Sequence, residues 1–318
     1  MDLSSFSEAQ RRIRPYVERT PLIPFYPLPG VRLFLKCEHL QATNSFKVRG
    51  AFNAMLSLSP EERAKGVVTR SMGNFAQAVA YAGHVLKIPA TIILPANVPI
   101  VKKEGVEKYK ARAILQEGGS RREQQVVEDI AAKEGLAMLS PFNIPPVIEA
   151  AGAMAVEIHE QLPTIRVFFG QVGGGGMMAG MSCAFKKIDP SIRTIAVEPA
   201  GANDYFLSRK KGSPVFLEKV DTIADGLRAP QVGDVPWPLL QKYVDEAVTV
   251  TDREMIDVLR VFYEKMGIIL EASGVTGLAY AIEWCKKRPK EDAVCVLTGA
   301  NVDRSSFFSW IGSESKKY

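Results

Sequence analysis

Residues 165–188 read IRVFFGQVGGGGMMAGMSCAFKKI. An apolar, β-rich run enters four consecutive glycines, and a helical pattern leaves them. Glycine costs backbone entropy inside helices and strands, so Gly173–Gly176 must be a loop. Strand, tight loop and helix in that order form the repeating step of folds built on parallel sheets. The rest of the chain repeats the step. "VRLFLKCE" (31–38), "GVVTRS" (66–71), "ATIILP" (90–95), "RAILQEG" (112–118), "RTIAVEP" (193–199) and "DAVCVLTG" (292–299) read as further strands. "NFAQAVAYAGHVL", "IPPVIEAAGAMAVEIHEQL" and "EASGVTGLAYAIEWCKK" read as helices between them. The expected class is α/β, with mainly parallel sheets covered on both faces. No internal repeat or long linker interrupts the 318 residues, a length that suits one or two domains.

Composition narrows the function. The formal charge of +5 is small for this length, and the basic residues form no run, so no nucleic-acid partner is expected. The closing "SKKY" reads as a solvated tail. Cys37, Cys183, Cys285 and Cys295 have no metal-ligand spacing, and the chain is too large for a disulfide scaffold. The N-terminus is polar, with Ser5 and Glu8 spaced for a capping box. It has no apolar signal core, and no run is long enough to span a membrane. A cytoplasmic protein without a membrane partner is expected.

In open α/β sheets ligands bind where loops leave the carboxyl ends of strands. Three such loops carry glycine: "SMGNFAQA", "QVGGGGMMAG" and "TGANVD". The second suits an anion, because bare backbone N–H groups and a helix N-terminus converge on it. No Gly-Lys-Ser/Thr follows, so it is not a Walker loop. Two readings remain beside a phosphate site. Gly174, Gly176 and Ala179 fit the dinucleotide pattern G-x-G-x-x-A, with Glu198 ending the next strand as an acidic ribose partner. A tight structural turn is the other reading of the glycines. Lys47, within "ATNSFKVRGA", is either a surface lysine at a helix start or a partly buried amine held for chemistry.

The segment "NSFKVRGA" resembles the Ser-Phe-Lys-x-Arg-Gly-Ala motif of the fold-type II pyridoxal-phosphate enzymes, particularly the threonine/serine dehydratases and serine racemases. "SMGNFAQAVAYAG" is similar to their Ser-x-Gly-Asn-His-(Ala/Gly)-Gln loop, "GGGGMMAG" to their phosphate loop, and "TGANVD" to their Ser-Gly-Gly-Asn segment. "VEPAGAND", "ADGLRAP" and "EASGVTGLA" follow in the family's order, so the resemblance runs from about Ile13 to Trp310. It implies a tryptophan synthase β-like fold with two open, mainly parallel-sheet domains. Residues 1–65 and 145–318 would form the larger, cofactor-binding domain, and residues 66–144 the smaller.

The resemblance also implies the site. Lys47 would hold pyridoxal 5'-phosphate as a Schiff base, behind Phe46. Gly173, Gly174, Gly175, Gly176 and Met177 would hold its phosphate, Asn74 would meet its phenolic oxygen, and Thr298 would face its ring nitrogen. Ser71, Met72, Gly73, Asn74 and Phe75 would grip the substrate carboxylate. Glu198, the carbonyl of Ala202 and Asp204 match a cation site with hard oxygen ligands, for which Mg²⁺ and Ca²⁺ are the candidates; solvated helix-start acids are the alternative. The implied activity is α,β-elimination from a β-hydroxy amino acid such as L-threonine or L-serine, giving a 2-oxo acid and ammonia. A small-molecule amino-acid substrate and a homodimer are expected.

Several residues depart from the family pattern. Phe75 stands where histidine is usual, and Met72 where racemases have serine. "AGAM" (Ala151–Met154) replaces Gly-Gln-Gly-Thr, and Ala300 replaces a glycine. A thioether has no proton to deliver, which argues against racemisation through Met72. Racemisation or β-replacement, and a cofactor-binding homologue with little turnover, are the alternatives these departures leave open.

Overall fold

The computed structural model describes residues 1–71, 73–96 and 100–312, with the backbone alone for residues 100–102 and 120–121. Met72 and the "SKKY" tail lie outside the described residues. The strands are β1 (Leu22–Pro24), β2 (Leu33–Lys36), β3 (Val67–Arg70), β4 (Ala90–Pro95), β5 (Arg112–Gln116), β6 (Ala137–Leu139), β7 (Val167–Gln171), β8 (Arg193–Pro199), β9 (Glu246–Val250) and β10 (Ala293–Val296). They form two sheets. One has the order β1-β2-β10-β7-β8-β9, and the other β5-β4-β3-β6. Every pairing is parallel except β1 with β2, so helices must cover the faces.

Alternation along the strands divides the core. Leu33, Leu35, Val167, Phe169, Ile195 and Val197 pack on one face of the six-stranded sheet. Phe168, Ala196, Val294 and Val296 pack on the other. In the smaller sheet Val67, Ile92 and Leu94 face helices Lys47–Leu56 and Asn74–Leu86, while Val68 and Ile93 face helix Gly119–Glu134. The central strands β7 and β10 are buried throughout, as their unbroken apolar runs require.

The first helix, Leu3–Ile13, begins differently from the expectation. Asp2 is its N-cap and forms a capping box with Ser5, which lies three residues into the helix. Ser5 therefore cannot cap for Glu8, because it already has helical geometry. All four cysteines are buried and free.

The "AGAM" segment has a packing role. It lies within helix Pro145–Gln161, buried among Phe6, Met178 and Met181. A Cβ on Gly152 would stand 2.2 Å from the Phe6 ring, and one on Gly180 would stand 2.1 Å from the Ile148 carbonyl oxygen. Small residues here let helices Leu3–Ile13 and Gly176–Ile188 pack closely on helix Pro145–Gln161. The departure at Ala151–Met154 is thus buried in the packing of these helices.

Candidate active site

The loops leaving β2, β3, β7 and β10 meet at the carboxyl ends of both sheets. Lys47 begins helix Lys47–Leu56. Its Nζ donates to the Pro141 carbonyl at 3.2 Å and stands 4.9 Å from the centroid of the half-buried Phe46 ring. Burial lowers the amine to about 8, with the Glu271 carboxylate offsetting part of the shift. The Lys47 side chain is half-buried. Such an amine is partly neutral at neutral to mildly alkaline pH, the condition nucleophilic attack on a carbonyl requires.

The backbone around Lys47 is pinned to the end of β10. Phe46 N–H donates to the Thr298 carbonyl at 3.0 Å, Ser45 bridges to Gly299, and Ala300 N–H donates to the Asn44 carbonyl. Thr298 is buried, and its hydroxyl accepts from the Gln171 amide at 3.0 Å. Ala300, at the family's glycine position, keeps this backbone contact.

Gly173–Gly176 form the turn between β7 and helix Gly176–Ile188, with Gly175 in the left-handed region at φ 90°. The glycines are required sterically. A Cβ on Gly174 would meet the Phe142 ring at 2.2 Å, one on Gly176 the Phe142 backbone at 2.8 Å, and one on Gly173 the Leu227 Cα at 3.0 Å. The first amides of the helix, including that of Met177, lack partners within it and can receive an anion. This is a cradle that side chains would fill, and it fits a phosphate group.

Asn74 begins helix Asn74–Leu86, with Gly73 as its N-cap. Its amide nitrogen donates to Glu271 Oε1 at 2.8 Å, and its oxygen accepts from Asn301 at 2.8 Å. Among the described residues the second amide proton of Asn74 has no acceptor and can serve a ligand. The Ser71 hydroxyl accepts from the Gly73 N–H at 3.4 Å. Phe75 points elsewhere: its side chain is 2% exposed and packs in the small-sheet core with Phe52 and Val79. The substituent at the family's histidine position therefore fills core, and only its backbone can serve the loop.

Glu271 and Asn301 were not singled out from sequence. Asn301 lies in the glycine loop "TGANVD", and Glu271 opens "EASGVTGLA", a segment read as a helix and by its place in the family's order. The signal was the close approach that Gly299 permits, since a Cβ there would stand 2.3 Å from Glu271 Oε1.

Glu198 and Asp204 form a second group of acids, next to Val232, whose neighbour Gly233 donates its N–H to the Gly174 carbonyl at 3.1 Å. They are not the solvated acids of the alternative reading, being 1% and 0% exposed. Glu198 accepts from the amides of Tyr205 (3.1 Å) and Phe206 (2.6 Å). Neither Asp204 oxygen has a hydrogen-bond partner; the Val232 amide faces the carboxylate without reaching bonding geometry. Burial first, and the neighbouring Asp204, push Glu198 well above its usual range, and burial pushes Asp204 up to about 7. Orphaned buried carboxylate oxygens suit a hard cation. The buried Ala202 lies between the two acids.

The family model for pyridoxal-phosphate-dependent enzymes matches residues 13–299. A serine racemase of Arabidopsis thaliana is 38% identical over 324 residues, covering 99% of this chain and 97% of that protein. An L-threonine ammonia-lyase of Thermotoga maritima is 36% identical over 304 residues, covering 95% and 76%. Among solved structures, maize serine racemase superposes with a TM-score of 0.92 at 36% identity, covering 97% of this chain and 96% of that one. The processed threonine deaminase isoform 2 of Solanum lycopersicum gives 0.93 at 34%, covering 98% and 92%.

Proposed function

Since the chain belongs to the pyridoxal-phosphate-dependent enzymes, we propose that it eliminates water from a β-hydroxy amino acid, L-threonine or L-serine, with Lys47 moving the α-proton. The observation that carries this reading is the Lys47 amine on the Pro141 carbonyl, one residue before the Phe142 that packs against the glycine cradle, with Asn74 bonded to the Glu271 carboxylate that acts on the same amine. Pyridoxal phosphate, when bound, supplies the electron-withdrawing ring that acidifies the α-carbon. The chain's residues do the rest.

In this proposal Lys47 Nζ holds the cofactor between turnovers and takes the α-proton during them, over the Phe46 ring. Amides of Gly173, Gly174, Gly175, Gly176 and Met177 bind the phosphate. The free N–H of Asn74 orients the ring through its phenolic oxygen, and Glu271 and Asn301 fix that amide's rotation. The Thr298 hydroxyl meets the ring nitrogen without adding charge. Ser71 and the backbone of Met72, Gly73, Asn74 and Phe75 hold the substrate carboxylate. Loss of the β-hydroxyl as water and hydrolysis of the released enamine give the 2-oxo acid and ammonia.

Racemisation is the second reading, favoured by the similarity to the serine racemases of Arabidopsis and maize. A keto-acid assay beside chiral chromatography of recovered serine or threonine decides between them. Keto-acid formation with little inversion supports elimination, whereas rapid D/L interconversion without keto acid refutes it.

The remaining expectations belong to the same proposal. Residues 66–144 act as a small unit that closes on the remainder and excludes water. The protein is a cytoplasmic homodimer. Among the described residues no helix is long and apolar enough to cross a membrane. Glu198, the Ala202 carbonyl and Asp204 hold Mg²⁺ or Ca²⁺. A cation bound only by the folded state raises the melting temperature, and chelation lowers it. An Asp204→Ala protein that answers chelator and cation as the parent does would remove this site.

A further inference from the structure

Four charged side chains are buried together behind Lys47: Lys36, Glu38, Arg49 and Glu157, none more than 3% exposed. Arg49 grips Glu38 with two bonds of 2.8 Å, Nε to Oε2 and Nη2 to Oε1. It also donates to Glu157 at 3.0 Å and to the Glu18 carbonyl at 3.0 Å. Glu38 further accepts from Thr20 at 2.7 Å and Gln41 at 3.2 Å. Lys36 bonds Glu157, the Thr20 carbonyl and Gln161.

The placement of one pair in the chain is informative. Glu38 opens the short helix Glu38–Leu40 and Arg49 lies in the first turn of helix Lys47–Leu56, so their fork joins the two ends of the intervening loop. That loop carries Ser45, Phe46 and then Lys47. Residues two apart on a helix point about 200° from one another. With Lys47 directed to the Pro141 carbonyl, Arg49 points the other way, into the buried charged cluster, and holds the loop from that side. From the front it is held by β10, through Phe46, Ala300 and the Asn301 amide on the Thr43 carbonyl at 2.8 Å. Asn44 sits between these holds with φ 53°, a left-handed conformation that asparagine tolerates.

Buried ion pairs contribute little net stability, because desolvation offsets their attraction. What the guanidinium–carboxylate fork adds is direction, since two parallel bonds fix both distance and angle. We propose that the buried Arg49–Glu38 pair is a positioning clamp that closes the loop presenting Lys47 and holds its amine where the cofactor carbonyl arrives. The inference rests on the reading of Lys47 given above.

The test compares Arg49→Lys, Glu38→Gln and Lys36→Met with the parent. Lys36 belongs to the same buried cluster but does not bridge the loop. Cofactor is removed and returned, and the rate of re-forming the cofactor–lysine linkage is followed by absorbance. Borohydride trapping with peptide mapping gives the fraction joined to Lys47, and melting temperature is measured alongside. Arg49→Lys and Glu38→Gln should re-form the linkage at least tenfold more slowly. Lys36→Met should stay within about twofold of the parent despite a comparable loss of melting temperature. Should Arg49→Lys not fold, Glu38→Gln carries the same comparison. Equal rates in all proteins, or slowing that merely follows melting temperature, would overturn the clamp. A parent with no trappable linkage removes the reading of Lys47 and the clamp with it. A parent that has the linkage, with variants that form it equally fast, removes the clamp alone.

Discussion

Replacing Lys47 by methionine in the cofactor-free protein keeps an apolar stem of similar length and deletes the titrating amine. The parent amine is lowered from 10.5 to about 8. At about 1.4 kcal/mol per unit the displacement corresponds to roughly 3 kcal/mol. Lys47 is only half-buried by area, so water screens part of this, and about 1–2 kcal/mol is expected. Below pH 8 both folded and unfolded parent carry the charged amine, and the fold bears the full desolvation cost. Between about 8 and 10.5 the unfolded chain binds more protons than the folded one, so the parent gains stability as pH rises. The Met variant, with no such group, should therefore be more stable than the parent at pH 7, and the gap should close by about pH 10.5. Urea unfolding of both proteins at pH 7, 9 and 10.5 measures it, and taking the difference cancels other titrating groups. A gap that is independent of pH, or that widens as pH rises, refutes the claim that the site disfavours the charged amine.

Two further outcomes follow from the packing and the sequence. Gly180→Ala would put a Cβ 2.1 Å from a backbone oxygen that cannot rotate away, so helices Pro145–Gln161 and Gly176–Ile188 must separate. The expected cost is about 1–3 kcal/mol and a melting temperature lower by several degrees, and unchanged melting would contradict the close crossing. Met72→Ser would add a hydroxyl proton next to Ser71 in the sequence, and the ratio of racemisation to elimination should rise; chiral chromatography beside the keto-acid assay reads it, and an unchanged ratio would deny residue 72 that role.

The parallel core was legible because its strands are continuous apolar runs. β4 and β8 occupy the segments read as strands, and the runs 31–38, 66–71 and 292–299 contain β2, β3 and β10 with their ends trimmed. β1 and β6 are three residues long, too short for a periodic signal. β9 is an edge strand, mostly half-buried, and its mixed "EAVTV" lacks the apolar continuity of the centre. In the site, glycine was the readable residue: Gly173, Gly174, Gly176 and Gly299 each mark a close approach, although a Cβ on Gly73 would meet nothing. What sequence could not convey was partnership. Arg49 meets Glu157 across more than a hundred residues, and Glu271 meets Asn74 across nearly two hundred. Phe75 and Ala151–Met154 looked like changes at the site because motif position says nothing of side-chain direction. The fold turns both into core.

The central claim is that Lys47 is the residue to which the cofactor is joined. Borohydride reduction of the purified holo-protein fixes that linkage, and proteolysis with mass mapping locates it. The account predicts one modified peptide, carrying the label on Lys47 within NSFKVRGA, and no such label in Lys47→Ala. A label on any other lysine, or an equal yield of label from the Lys47→Ala protein, would contradict it.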